Sequence, residues 1–358
     1  MNSANMNNPQ LNLSVEVTSI EDVAENIRRF ELSPDFGVSL PKFSAGAHIT
    51  IETPKRERRD YSLINSTDKS GTYSIAIKQE GDGGGGSASM HDDVKVGTVL
   101  RISSPRNHFE LVEDAQSFLL IAGGIGITPI LAMARQLTDE GRPFRMIYLT
   151  RSDETTAFAD ELRNGPFSGN VHIHHDQGKP ENALDLVPLL QNHSNGLHLY
   201  CCGPLGLMKA VKGLSEDWPQ GTVHFEDFGS NDKAVLAGDE AFEVELARTS
   251  TVIEVAKDET IIQALERHGV HTATSCKSGT CGTCMTKLLS GDADHRDLVL
   301  SAHSGQSGHL FRFIAATESG SLRPLPRLAL WTARSTLLDG FLDVSTLAFR
   351  QARCRPSR

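Results

Sequence analysis

The sequence predicts a multidomain chain: an antiparallel β domain, an α/β domain with a parallel sheet, and a small α+β domain around a cysteine-rich loop. Three observations carry this. Residues 10–112 are short apolar runs separated by Pro-, Gly- and Asp-rich punctuation, the pattern of an antiparallel barrel or sandwich. From Ser117 onward, apolar runs of strand length alternate with helical stretches, the pattern of a parallel sheet. After a polar, glycine-containing stretch at 229–240 come two short strands, a helix and the run Cys276-Lys277-Ser278-Gly279-Thr280-Cys281-Gly282-Thr283-Cys284. At 358 residues the chain is also too long for a single core.

In chain order, 1–9 is a disordered lead-in without the basic and apolar blocks of a signal peptide. The strands expected in the first domain are Leu11–Val17, Ile27–Leu32, His48–Thr53, Tyr73–Lys78 and Val99–Ser103, with Arg59-Asp60-Tyr61-Ser62 opening a further one. The second domain, 113–228, opens on Phe118–Ala122, a glycine loop and a helix over Pro129–Leu137. Met146–Thr150, Val171–His175 and Leu197–Cys201 are its further buried strands. Residues 229–240 read as a linker. In 241–300 the expected elements are strands Phe242–Leu246 and Val252–Val255, a helix over Thr260–His268, and a strand over Thr286–Leu289.

Composition excludes several function classes. A formal net charge of −10 argues against nucleic-acid binding, which needs a basic face. No apolar run is long enough to span a bilayer. Six cysteines in a chain of this length do not make a disulfide framework, so reduced thiols and a cytoplasmic location are expected. Nothing in the pattern calls for an obligate dimer, so a monomer is expected.

The C-x4-C-x2-C spacing of Cys276, Cys281 and Cys284 is the one that holds an iron–sulfur cluster in plant-type ferredoxins. Gly279 and Gly282 let backbone amides approach the cluster sulfurs. A zinc knuckle or a chance spacing is the alternative. Gly123-Gly124-Ile125-Gly126-Ile127-Thr128-Pro129 lies between a buried strand and a helix, where glycines and a helix N-terminus suit a phosphate. Thr128 is expected to cap that helix. Cys202-Gly203-Pro204 follows another buried strand and faces the crevice where open α/β sheets bind ligands.

In the first domain, Tyr61 offers a ring to pack on a flavin, with Arg59 and Ser62 as polar partners. Gly85-Gly86-Ser87-Ala88-Ser89 has the small residues and hydroxyls that cradle a phosphate, or is simply a flexible linker. Arg151, following a strand, is a candidate partner for a nucleotide 2′-phosphate or simply a solvated residue, and Asp176, following the next strand, is a candidate ribose contact. His172, His174 and His175 lack the acid or cysteine that would complete a metal site.

The motifs R-D-Y-S, G-G-S-x-S, G-G-I-G-I-T-P, C-C-G-P, H-F-E-D-F and C-x4-C-x2-C come in an order that resembles the phthalate dioxygenase reductase family over residues 10–300. Ser104–Phe109 (S-P-R-N-H-F) and Gly291–Asp297 extend the likeness. The resemblance implies an FMN-binding β-barrel over 10–112, with Arg59, Tyr61, Ser62, Gly86, Ser87 and Ser89 as flavin contacts. It implies an NADH-binding domain over 113–228, with Gly124, Gly126, Thr128, Cys202, Gly203 and Pro204. Phe225 and Phe228 resemble the aromatic pair that closes the flavin–nicotinamide interface. A ferredoxin-like (β-grasp) domain over 241–300 would hold a [2Fe–2S] cluster on Cys276, Cys281 and Cys284.

The implied function is to take electrons from NADH and deliver them singly to a terminal Rieske-type oxygenase, such as one acting on phthalate-like aromatic carboxylates. No acid–base residue is called for, because the cofactors carry the chemistry.

The chain departs from the family pattern after Leu300. No cysteine occurs near 312–315, where the fourth cluster ligand is expected, and Cys354 is the only one downstream. Residues 301–358 hold eight arginines, no lysine and three acids, a balance opposite in sign to the whole chain. This atypical tail reads as a shifted reading frame, which would remove the domain's final strand; the coding DNA tests that by whether another frame restores the cysteine. Two further readings follow: a truncated flavin-dependent NADH oxidoreductase without a working cluster, and a non-catalytic iron–sulfur sensing protein.

Overall fold

The computed structural model describes residues 10–35, 39–65, 71–81, 85–191, 194–228, 240–257 and 259–270, and the backbone of strands Met285–Ser290, Leu310–Arg312 and Ala348–Ala352. It divides into two compact units, Met1–Phe228 and Gly229–Arg358.

The first unit begins with strands β1 (Leu13–Ala24), β2 (Ile27–Pro34), β3 (Ala47–Glu52), β4 (Arg58–Ser62) and β5 (Tyr73–Lys78), then helix α1 (Gly86–Asp92), then β6 (Val99–Ile102) and β7 (Arg106–Asn107). Their order in the antiparallel sheet is β4-β3-β6-β1-β2-β5, with β7 beside β3. Leu63 bridges Ile75, and the Ile64 amide donates to the Ser74 carbonyl at 2.9 Å, so the two edges meet and the sheet closes as a barrel. Inward residues such as Val15, Phe30, Ile49, Ile75 and Leu100 fill it. β1 runs seven residues beyond the expected Val17, because it and β2 form a hairpin ribbon with two register shifts. Asn26 turns the ribbon at φ 59°, a conformation that asparagine tolerates.

The same unit continues with β8 (Ser117–Gly123), α2 (Ile127–Asp139), β9 (Phe144–Thr150), α3 (Ala159–Asn164), β10 (Val171–His175), α4 (Val187–Leu190), β11 (Leu197–Cys202), α5 (Leu205–Leu214) and β12 (Val223–Glu226). The five strands are parallel in the order β10-β9-β8-β11-β12. β8 is apolar on both faces, as a central parallel strand covered on both sides must be. Strand order reverses between β8 and β11, which opens a ligand crevice at their carboxyl ends. Ile27, Ala45, Ile64, Ala76 and Phe109 of the barrel share one apolar core with Ile127, Ile130, Leu131 and Ala134 of α2.

The second unit has β13 (Phe242–Leu246), β14 (Thr251–Val255), α6 (Ile261–Arg267), β15 (Met285–Ser290), β16 (Leu310–Arg312) and β17 (Ala348–Ala352). Its sheet runs β14-β13-β17-β15-β16, with β17 antiparallel to β13 and parallel to β15. The tail beyond Leu300 supplies two of these strands. α6 opens on a capping box: Gln263 N donates to Thr260 Oγ1, and Thr260 N donates to Gln263 Oε1. Cys276, Cys281, Cys284 and Cys354 lie outside the described residues, as do the lead-in, most of the linker and 313–347.

Candidate functional site

The crevice between β8 and β11 is built from two loops in contact. β8 ends in a 3-10 turn, Gly124–Gly126, that leads into α2. Gly124 takes φ +54°, and its carbonyl accepts a hydrogen bond from the Tyr148 hydroxyl at 3.1 Å, which fixes the loop on β9. A β-carbon on Gly123 would lie 2.7 Å from Pro204 Cδ. One on Gly203 would lie 3.0 Å from Gly123 Cα. Gly124, Gly126, Cys202, Gly203 and Pro204 are thus brought together, and a side chain on the inner glycines would close the cradle.

Thr128 differs from its sequence reading. Gly126 is the N-cap and no side chain caps the helix; Thr128 is 2% exposed, and its hydroxyl donates to the Ile125 carbonyl at 3.1 Å. The 3-10 turn already occupies the capping position, so the threonine lies two residues inside the cap.

Cys202 has a fully buried thiol. Burial first, then the Glu226 carboxylate, Cys201 and Asp227, push it well above the ordinary thiol range, so it is a neutral wall of the crevice rather than a nucleophile. Cys201 is raised by burial as well, and both cysteines are free.

Phe225 is half-buried on β12 in register with Cys201, whereas Phe228, just past the carboxyl end of β12, is 45% exposed. Toward the barrel, the 3-10 turn of the glycine loop packs against β5.

The R-D-Y-S motif occupies β4, which pairs with β3. Ser62 is buried, Tyr61 is half-buried against the barrel core, and Arg59 pairs with Glu57 at 2.7 Å. The Tyr61 hydroxyl is buried without a hydrogen-bond partner, and burial raises the phenol far above its ordinary value. Gly85-Gly86-Ser87-Ala88-Ser89 is the cap and first turn of α1, not a loop. Gly85 takes φ +88°, and the Ser89 amide closes the turn on its carbonyl at 2.9 Å.

A β-carbon on Gly85 would fall 2.4 Å from Lys55 Nζ, and one on Gly86 would fall 3.1 Å from Arg59 Nε. Glu57 Oε2 lies nearer still to that position on Gly86, at 2.8 Å, so the N-terminus of α1 sits beside Lys55 and the Arg59–Glu57 ion pair. Ser87 Oγ accepts from the Glu80 amide at 3.2 Å, and Ser89, buried, donates to the Gly86 carbonyl at 2.9 Å. The buried Tyr61 hydroxyl lacking a partner and the glycine turn beside Lys55 are the features that fit a flavin phosphate ester.

Sequence reasoning missed Lys55, although the charge run from Lys55 to Arg59 was a signal. It also missed the network in which Arg106 donates to Thr50 Oγ1 at 2.8 Å and approaches Asp60 Oδ1 at 3.4 Å. Beside this network burial lowers His48 to about 4, with smaller effects from Asp60, Arg106 and His108. Of the three histidines of β10, His174 Nε2 donates to the Asn182 carbonyl, His175 bonds Thr150 and Asp153, and His172 is exposed. Asp176 accepts from the Gly178 amide at 2.7 Å, and Arg151 is exposed.

Comparison with known proteins agrees with this division. Residues 14–111 match the oxidoreductase FAD-binding domain family, 120–213 the oxidoreductase NAD-binding domain family, and 244–310 the 2Fe-2S iron-sulfur cluster binding domain family. The chain is 44% identical over 287 residues to the phthalate 4,5-dioxygenase oxygenase reductase subunit of Pseudomonas putida, covering 80% of this chain and 88% of that one. It is 42% identical over 277 residues to a vanillate O-demethylase oxidoreductase of Pseudomonas putida, covering 77% and 87%. The solved structure of phthalate dioxygenase reductase, described as a modular structure for electron transfer from pyridine nucleotides to [2Fe-2S], matches with TM-score 0.64 and 39% identity over 95% of this chain and 97% of that one.

Proposed function

Because the chain belongs to the phthalate dioxygenase reductase family, we propose that it passes electrons from NADH through FMN and a [2Fe–2S] cluster to a Rieske-type terminal oxygenase acting on an aromatic carboxylate. It is an oxidoreductase with flavin-, NAD- and iron–sulfur-binding domains, and it serves as the reductase of an oxygenase system. The finer assignments are ours: FMN as the flavin, the substrate class of the oxygenase, a monomeric cytoplasmic protein, and the individual site residues.

One observation supports the reading most. The glycine loop at the switch point packs against barrel strand β5, so one compact unit carries the nucleotide cradle and the flavin motif side by side. When bound, the flavin accepts electrons in pairs from NADH and releases them one at a time. In our reading Lys55, Arg59 and the first turn of α1 hold the flavin phosphate, and Tyr61 directs its hydroxyl to the same group. The glycine loop and Cys202-Gly203-Pro204 seat the pyrophosphate and nicotinamide, and the neutral Cys202 thiol keeps that wall free of charge. Cys276, Cys281 and Cys284 supply three cluster thiolates.

The test is anaerobic purification of the full chain, mass identification of the released flavin, and assay of iron and acid-labile sulfide. One FMN with two irons and two sulfides, NADH oxidation with ferricyanide, and cytochrome c reduction support the full relay. FMN without iron, with the ferricyanide reaction alone, replaces it with the truncated flavoenzyme. Neither reaction, with iron present, leaves the sensing protein.

A further inference from the structure

The nucleotide loop and the flavin strand are joined by one helix, and the join is polar. α2 begins at the glycine loop, and nine residues further along, about 13 Å at the rise of an α-helix, stands Arg135. Its NH1 donates to the carbonyl of Ile64 in the barrel; Nε donates to Glu161 Oε1 at 2.7 Å and NH2 to Glu161 Oε2 at 2.5 Å. Ile64 lies two residues after Ser62, and its amide closes the barrel on Ser74. The next helix residue repeats the connection: Gln136 Oε1 accepts the Ala45 amide at 2.9 Å.

We infer that Arg135 is a positioning residue for electron transfer between nicotinamide and flavin, an inference that rests on the reductase reading. Around it the barrel and α2 meet through Ala45, Ile64, Ala76, Ile130, Leu131 and Ala134, an apolar contact that holds the domains together but is non-directional. Direction comes from the guanidinium. Its planar fork grips Glu161 of α3 through two bonds and leaves the remaining nitrogen aimed at a backbone carbonyl of the flavin-carrying segment. A lysine offers neither the fork nor the third direction. Since α2 is rigid, a change of register at Arg135 displaces the glycine loop relative to β4. Reacting groups misplaced by about 1 Å lose on the order of a hundredfold in rate.

Arg135→Ala in the full-length, flavin-loaded protein tests this by anaerobic stopped-flow reduction with NADH. The limiting rate of flavin reduction is expected to fall at least about tenfold, while NADH affinity stays within about threefold, because the cradle itself is untouched. Hydrogen exchange of the oxidised, nucleotide-free protein is expected to quicken at Ala45, whose amide Gln136 holds. Arg135→Lys should recover only part of the rate, and Glu161→Gln should give a smaller loss than Arg135→Ala.

A folded Arg135→Ala protein with the wild-type limiting rate overturns the inference, even if its melting temperature drops. If Arg135→Ala does not fold, wild-type limiting rates in both Arg135→Lys and Glu161→Gln overturn it. Failure of NADH to reduce the wild-type flavin would instead remove the reductase reading.

Discussion

Gly126 and Cys202 meet across the switch point so closely that a β-carbon on Gly126 would sit 2.3 Å from the Cys202 carbonyl oxygen. The backbone at Gly126 has φ −60°, open to any residue, so the demand for glycine is steric. Two loops 76 residues apart therefore form a single surface only while this position carries no side chain.

Gly126→Ala should destabilise the first unit by about 1–3 kcal/mol, the usual cost of overpacking, and slow NADH-driven flavin reduction as the loops part. Gly206→Ala is the control. That glycine lies in α5 with nothing within 4 Å of an added β-carbon, and the change should raise stability by up to about 1 kcal/mol. Thermal unfolding and stopped-flow reduction of both variants check the contrast. Equal behaviour of the two would remove the loop contact from the argument.

The Tyr61 hydroxyl, buried without a partner, predicts opposite signs for two measurements. Tyr61→Phe deletes a desolvated polar atom, so the flavin-free protein should unfold at the same or higher urea, by up to about 1 kcal/mol. The same change removes a hydrogen bond to bound flavin and should weaken flavin binding about tenfold. Fluorescence titration of flavin-free protein measures the second. Unchanged affinity would take Tyr61 out of the flavin site.

His224 stacks on Tyr200 with ring centroids 4.3 Å apart, and its Nε2 is 3.1 Å from His198 Nδ1. Burial, then the neighbouring His198, lowers it from 6.5 to about 4. The unfolded chain therefore takes up the proton first. The stability contributed by neutral His224 is complete above about pH 6.5 and is lost as pH falls toward about 4. Urea unfolding across that window should show the decline, and His224→Phe should flatten it in part. His48, also lowered to about 4, and His91 and His198, lowered by burial, keep the remainder. A slope identical in wild type and variant would assign the acid sensitivity elsewhere.

What the sequence made legible follows from what leaves a local mark. Tyr73–Lys78, Val171–His175 and Phe242–Leu246 occupy the limits expected of them, because each is an apolar or alternating run with turn residues at both ends. β1 overran its expected end because Thr18–Asp22 has Ile20 as its one apolar residue, so too little alternation marks it as strand. α1 was hidden because glycine and serine favour linkers over helix. The glycine loop announced itself. Arg135 did not, since its partner is a backbone carbonyl 71 residues away, and a carbonyl has no sequence signature.

Phe225 and Phe228 differ in exposure, which predicts different consequences for their loss. Phe225 is half-buried within β12, beside Cys201 of β11, so its ring is part of the sheet's packing. Phe228 stands two residues past the carboxyl end of the same strand, on the carboxyl-end side of the sheet, with 45% of its surface exposed. An exposed ring at a ligand crevice has a face to stack on a bound heterocycle, worth about 0.5–1.5 kcal/mol beyond its buried area. Phe228→Ser should therefore weaken flavin or NADH binding about three- to tenfold and leave the melting temperature within a degree or two. Phe225→Ser should do the reverse, lowering the melting temperature by several degrees because a half-buried strand residue is lost from the sheet. Flavin titration, NADH titration and thermal unfolding of both variants separate the two roles. A stability loss at Phe228 with binding intact would give the stacking role to Phe225.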